Sequence, residues 1–355
     1  MNVTIIGGGN IGTLIAAELL NKNYDVCIYT SKVDQWGDSL EVYDVNNKFL
    51  FESTGLKVTD NIHNALKTAE IIFITYPAAL FHKLSKDMEN HVHRGQYIGV
   101  VPGSGGAEFL FGNLIAKGCI LFGLQRVHSI ARLKEYGKSV LMLGRKDGLD
   151  IATFPRGFEL FVKNLLENMF DLPCNVITNY LAITLTPSNP ILHTSRLYSM
   201  FNQKQIFDKN ILFYEEWDDD SSELMIKCDS QLQDLCDVLR INGVKSLKDH
   251  YESYSIKSMT QKIKSIGAFK GLTSPMIQTD NGWIPDFSSR YFTTDFSFGL
   301  KVIIDIARIY NVDVSYLEKI WDWYYNLCNP KNYFDLFKLG ISSQKDFEKY
   351  YYFDG

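Results

Sequence analysis

Val3-Thr4-Ile5-Ile6-Gly7-Gly8-Gly9-Asn10-Ile11-Gly12-Thr13-Leu14 is the stretch whose reading decides the fold. Val3, Ile5 and Ile6 read as a short buried strand, and Ile11, Leu14, Ile15 and Leu19 then recur at helical spacing. Between them Gly7, Gly9 and Gly12 fit G-x-G-x-x-G, in the strand–turn–helix setting that gives the pattern its meaning. Gly7 allows the tight turn, Gly9 lets backbone approach a pyrophosphate, and Gly12 lets the helix pack close to the strand. The helix N-terminus adds unpaired N–H groups and positive dipole character. Gly8, Asn10 and Ile11 complete the loop, so residues 7–12 are expected to hold a dinucleotide. A glycine-rich turn without a ligand is the plainer alternative, and the strand before and helix after it argue against that.

Downstream the rhythm repeats. Tyr24 to Tyr29 reads as a second strand, ending in Thr30-Ser31-Lys32 where NAD binders usually place an acid on the ribose hydroxyls. Two hydroxyls and a cation suit a 2′-phosphate, so NADP(H) is the preferred cofactor, with NAD(H) and a ribose contact from Asp34 as the alternative. Glu70 to Thr75 is a buried strand, and the loop Thr75-Tyr76-Pro77 is a candidate cofactor contact. Tyr97 to Val101 is the next strand, closed by Pro102-Gly103-Ser104-Gly105-Gly106 in position to lie under a nicotinamide ring. Ala107 to Ala116 reads as a helix and Ile120 to Gly123 as a strand. Ser139 to Leu143 is expected to continue the same sheet, and Gly157 to Asn168 to form an amphipathic helix. This alternation implies a doubly wound, mainly parallel α/β sheet, a Rossmann domain over residues 1–178.

From Pro187 the chain reads as helical, giving an all-α second domain over residues 179–355 and a substrate cleft between the two. Asp220 and Glu223 have capping-box spacing, followed by an apolar face of Leu224, Cys228, Leu232, Leu235 and Leu239. Gly299 to Tyr310 reads as another helix, ended by Asn311, and Ser315-x-x-Glu318 opens the next.

The composition narrows the class. Of 355 residues 46% are hydrophobic and 22% charged, with a net charge of −5 and no basic stripe, which argues against a nucleic-acid partner. No apolar run approaches the ~18 residues that span a bilayer, so no membrane partner is expected. No basic segment precedes the fingerprint, so a signal peptide is not expected either. Six scattered cysteines without a C-x-x-C pair suit reduced thiols in the cytoplasm. His91-x-His93 lacks further ligands, and no metal site is expected.

Two stretches of the second half carry chemistry. One is Thr186-Pro187-Ser188-Asn189-Pro190-Ile191-Leu192-His193; the other is Ser289-Arg290-Tyr291-Phe292-Thr293-Thr294-Asp295-Phe296-Ser297-Phe298-Gly299-Leu300. A histidine can give or take the proton that accompanies a hydride transfer. An aspartate can fix its tautomer, and an arginine can hold a carboxylate by two parallel hydrogen bonds. Taken singly, a structural histidine and an Arg–Asp salt bridge are equally good readings. His128 is a weaker second candidate, with no acid at matching spacing.

Asn189-Pro190-x-x-His193, together with Arg290 and Asp295 in S-R-Y-F-T-T-D-F-S-F-G-L, resembles the opine dehydrogenase family of the octopine/nopaline type. The G-G-G-N-x-G opening and Pro102-Gly103-x-Gly105-Gly106 share in it. The resemblance implies a Rossmann domain joined to a helical domain of the 6-phosphogluconate-dehydrogenase type. It also implies reductive condensation of an amino acid with a 2-oxo acid by NAD(P)H, both being small-molecule substrates. His193 would be the acid/base, Asp295 its partner and Arg290 the carboxylate anchor. Thr30-Ser31-Lys32 with Trp36 is similar to NADPH-using members. The chain departs from the family at Thr294, Ser297 and Gln125 to Ser129. A ketopantoate reductase-like enzyme shares the two-domain plan, but no lysine occurs between Asn175 and Phe201 to serve it. A non-catalytic NADP sensor is the third reading. Homodimerisation is expected by analogy with two-domain dehydrogenases.

Overall fold

The strand β1 (Asn2–Ile6) is buried from Val3 to Ile6, and the chain turns at Gly7 into the helix α1 (Asn10–Asn21). The computed structural model describes residues 1–351 and divides into two units. One is Met1–Thr184 with Tyr351, the other Leu185–Tyr350.

The first unit is built on β2 (Asp25–Tyr29), β3 (Ser39–Tyr43), β4 (Phe49–Thr54), β5 (Lys57–Thr59), β6 (Ile71–Ile74), β7 (Tyr97–Val100), β8 (Ile120–Leu124), β9 (Ser129–Glu135), β10 (Ser139–Arg145), β11 (Leu149–Phe154) and β12 (Cys174–Val176). Its main sheet has the order β12-β11-β8-β7-β6-β1-β2-β5. From β8 to β5 every neighbour is parallel, while β11 runs antiparallel to β8 and carries β12 parallel to itself. Every residue of β6 and β8 is buried, as expected of strands covered by helices on both faces. Phe73, Phe122 and Phe170 meet edge to face in that core, with centroids 5.7 and 6.0 Å apart.

Ser139 to Leu143 does not continue the main sheet. The strand β10 lies in a second sheet of order β4-β3-β10-β9. It follows β9 after only three residues, so it must pair antiparallel with it; a parallel neighbour needs a long crossover. Residues 141–144 are half-buried, which suits a sheet with one solvated face.

The second unit is helical, with α-helices Leu192–Phe201, Asp219–Leu239, Ile256–Ser265, Lys301–Tyr310 and Ser315–Cys328 among its elements. Asp218, not Asp220, caps the long helix and accepts the Ser221 amide at 2.8 Å, so the helix begins two residues earlier than expected. Met225, Cys228, Leu232, Leu235 and Cys236 are its buried apolar positions; Leu224 and Leu239 are half-buried. Glu318 pairs with Arg308 at 2.9 Å, and no side chain caps helix Ser315–Cys328. Two features were not expected. A hairpin, β13 (Met276–Thr279) and β14 (Gly282–Pro285), turns through Asp280-Asn281, with positive φ taken at Gly282. Tyr291–Leu300 is a π-helix, running into helix Lys301–Tyr310 where one α-helix was expected from Gly299.

Candidate active site

In the first unit, β1, β2, β6 and β7 are parallel neighbours, so the loops after their carboxyl ends lie along one edge. That edge is where ligands bind in open α/β sheets. Gly7 has φ +116° and donates its amide to Tyr29 at 3.2 Å. A Cβ on Gly12 would lie 1.9 Å from the Gly7 carbonyl oxygen, so α1 packs against the turn as only glycine permits. Thr75 fastens the same turn, its hydroxyl donating to Ile6 and Gly7 carbonyls at 3.2 and 3.1 Å. Tyr76 lies beside Gly7, and Pro77 is exposed. Gly9 opens α1 with free space around it, no side chain caps the helix, and no acid occupies its first turn. These are the conditions for a pyrophosphate on a helix N-terminus.

Not every expected contact is free. The Asn10 side chain accepts the Leu133 amide at 2.8 Å, and Ile11 is half-buried. Gly103 is buried, donating to Leu124 at 2.8 Å and accepting from Tyr180 at 3.1 Å, while Pro102 beside it is exposed. After β2, Ser31 and Lys32 are exposed and Thr30 is buried. The Thr30 hydroxyl shares a 3.1 Å hydrogen bond with the Tyr136 phenol, over whose ring the Lys32 ammonium stands at 5.3 Å. Trp36 meets Tyr136 edge-on at 5.3 Å and covers Gly8 so closely that a Cβ there would be 2.2 Å from its indole. The indole Nε1 is buried without a partner among the described residues. An orphaned donor beside the glycine loop, an uncapped helix end and open space at Gly9 fit a dinucleotide phosphate. Tyr136 was missed in the sequence, although Tyr136-Gly137 between two strand patterns is a hairpin turn that could bring a side chain back to β2.

His128 is fully buried in this unit. Its ring stacks on Phe170 at 4.6 Å, and Nε2 bonds the Glu18 carboxylate at 2.6 Å. Glu18, 110 residues away, is the acid that local spacing did not supply, and it also pairs with Arg145. His128 is a core residue of the first unit.

In the second unit, His193 lies in the first turn of helix Leu192–Phe201 and Asp295 in the middle of the π-helix. Their side chains meet: Nδ1 of His193 is 2.8 Å from Oδ2 of Asp295. The i→i+5 winding of a π-helix sets residues five apart over one another, which carries Arg290 and Asp295 to the same side. Single-turn π insertions are frequent at functional sites. Arg290 is exposed, stands 5.9 Å from the Tyr291 ring centroid, and makes no ion pair or hydrogen bond among the described residues. The Tyr291 ring in turn covers the imidazole at 4.6 Å. The two sequence motifs touch directly. A Cβ on Gly299 would be 2.9 Å from Cγ of Pro190, so Gly299 lets the π-helix reach the segment that delivers His193.

The structure adds Tyr214, whose hydroxyl is 3.1 Å from Nε2 of His193. Burial, with nearby Tyr291, Tyr251 and Asp295, holds this phenol well above its ordinary range despite Arg290. No spacing in the sequence ties Tyr214 to His193.

Residues 176–328 match the alpha-helical domain of NAD/NADP octopine/nopaline dehydrogenase, and residues 2–108 the N-terminus of NAD-dependent glycerol-3-phosphate dehydrogenase. The chain is similar to tauropine dehydrogenase of Arabella iricolor, 27% identical, with 90% of this chain and 90% of that protein covered. In fold it is similar to octopine dehydrogenase solved with NADH and L-arginine, with a TM-score of 0.81 at 20% identity over 93% of this chain and 90% of that one. Yersinopine dehydrogenase bound to NADP+ gives a TM-score of 0.68 at 10% identity over 99% of this chain and 98% of that one.

Proposed function

We propose, from the match of residues 176–328 to the alpha-helical domain of NAD/NADP octopine/nopaline dehydrogenase, that the protein is an NAD(P)H-dependent opine dehydrogenase joining an amino acid to a 2-oxo acid. The observation that carries this reading is a paired His193–Asp295 beside an arginine that makes no ion pair or hydrogen bond among the described residues. The Asp295 carboxylate can only accept, so His193 carries its proton on Nδ1 and keeps Nε2 for acid/base work. Arg290 offers a planar fork of donors to a substrate carboxylate, which both an amino acid and a 2-oxo acid possess. The loop at residues 7–12 would hold the cofactor pyrophosphate, and Thr75, Tyr76, Pro77 and Pro102 would border the rest of the cofactor. When bound, the dihydronicotinamide supplies the hydride that reduces the imine carbon. His193 supplies the proton that lets water depart as amine and carbonyl condense, and takes it back in the reverse direction.

NADP(H) is the preferred cofactor. No acid ends β2, and Lys32, Thr30 and Tyr136 gather there around a position that suits a 2′-phosphate. All six cysteines are free, which supports a cytoplasmic setting.

The test is a screen of NADPH and NADH consumption against 2-oxo acids, each with and without amino acids, for the wild type and His193→Ala. We expect amine-dependent consumption of NADPH. His193→Ala should lose about 100-fold or more in kcat while its cofactor affinity stays near that of the wild type. Consumption with a 2-oxo acid alone would make the protein a simple 2-oxo acid reductase. Wild-type rates from His193→Ala would remove His193 from the chemistry.

A further inference from the structure

Both ring nitrogens of His193 are engaged inside the helical unit, Nδ1 by Asp295 and Nε2 by Tyr214. Resting on the function proposed above, we propose that Tyr214 is a catalytic residue, the proton relay through which His193 acts on the substrate. A direct route would require the Tyr214 hydroxyl to leave Nε2, and the structure holds it there. Its ring stacks on Phe269 at 4.0 Å with planes 17° apart, lies parallel to Trp217 at 6.4 Å, and meets Phe213 edge-on at 4.8 Å.

The backbone around Tyr214 is clamped as well. Arg196, one turn beyond His193 on the same helix, is 1% exposed. It donates to the carbonyls of Phe213 at 3.3 Å and Glu216 at 2.6 Å, and pairs with Asp218 at 2.6 Å. One helix therefore carries both the histidine and the arginine that fixes the loop of its partner. Burial keeps the phenol protonated through the working range, so it always has a proton to pass.

The transfer balances as a paired hop. In the condensing direction the amine has added to the carbonyl carbon, leaving a hydroxyl on it. Tyr214 gives its proton to that hydroxyl as the C–O bond breaks. The bonding pair leaves with the water, and the nitrogen lone pair forms the C=N bond. At the same time the Tyr214 oxygen takes the Nε2 proton of the imidazolium. Tyrosine ends neutral, histidine ends neutral with Nδ1–H on Asp295, and one proton has moved to the water released. The opposite direction reverses each hop.

The experiment compares wild type with Tyr214→Phe in steady-state kinetics, alongside thermal melts and cofactor titration to show that the variant is folded. A relay predicts a kcat loss of about 100-fold or more, as for His193→Ala, with both substrate KM values within about twofold, since a positioned proton donor typically contributes ~10²–10⁴-fold. Any smaller loss in kcat overturns the relay. A lower KM with kcat intact also overturns it, making the hydroxyl an obstacle that substrate displaces. Should the variant fail to fold, the wild type alone decides: kcat in mixed H₂O and D₂O curves downward if two protons move together, and a straight line overturns the relay. If the wild type consumes no NADPH with any pair, the functional reading fails and takes the relay with it. Turnover that Tyr214→Phe leaves intact sinks the relay only.

Discussion

Arg290 makes no ion pair or hydrogen bond among the described residues, and the role proposed for it rests on that. A surface arginine beside a carboxylate gains little from it, but an unpaired guanidinium next to His193–Asp295 is available for an incoming carboxylate. Arg290→Lys keeps the charge and loses the two-pronged geometry. We expect the KM for the 2-oxo acid to rise roughly 10–100-fold, matching the ~1.5–3 kcal/mol of hydrogen bonds to a charged group, with NADPH affinity unchanged. An unchanged KM would show that the carboxylate is held elsewhere. The His193–Asp295 contact was anticipated from the sequence through the family resemblance, since residue type alone left structural readings equally good. Tyr214 was not, because an aromatic residue in an apolar run declares packing and not the hydrogen bond its hydroxyl makes 21 residues away. His128 misled in the opposite sense: a residue type rich in chemistry is used here to fill a core against Phe170 and Glu18.

At the scale of elements, the π-helix Tyr291–Leu300 sets the site. Gly299 is where it approaches Pro190, whose ring cannot swing aside. Gly299→Ala would place a Cβ 2.9 Å from Pro190 Cγ and push the two motifs apart. Overpacking of this kind costs about 1–3 kcal/mol. The expected result is a lower urea midpoint together with a fall in kcat, because the 2.8 Å His193–Asp295 contact depends on that approach. Full activity in a destabilised variant would uncouple the two. The main sheet was readable because strands buried on both faces are continuous apolar runs, as Ile71 to Ile74 shows. The π winding left no trace in local pattern, since Phe292, Phe296 and Leu300 satisfy an α period equally well. The second sheet was missed because its edge-to-edge pairing of β10 with β3 joins segments far apart in sequence.

Across the whole molecule, buried carboxyls set how stability depends on pH. In the first unit Glu108 is fully buried. Its oxygens accept from the Thr184 hydroxyl at 2.6 and 2.7 Å and the Tyr351 phenol at 2.5 Å, and burial raises its pKa to about 7. In the second unit burial raises Asp229 to about 6, although it accepts the Leu247 amide at 2.8 Å. A carboxyl raised in the folded state keeps its proton where the unfolded chain has lost it. Each such group therefore lowers stability as pH rises from the ordinary carboxyl value to the folded one. For Glu108 the interval from 4.5 to about 7 corresponds to roughly 3 kcal/mol at 1.36 kcal/mol per pH unit. Glu18 acts at the other end: burial pushes it up, but the His128 hydrogen bond and charge, with Arg145, bring it below its ordinary value. Its contribution is present above the usual glutamate range and is lost as pH falls through its depressed folded value. The two trends place the stability maximum in mild acid, with both units weakening towards neutrality. Melting curves between pH 4 and 8 should show Tm falling through pH 5–7. In Glu108→Gln, which cannot ionise, the fall attributable to the first unit should flatten while that of the second persists. An identical slope in the variant would mean that Glu108 shares its proton equally between folded and unfolded chains, and the neutral-side loss would have to come from other buried carboxyls held above their ordinary range, such as Asp229 and Asp305.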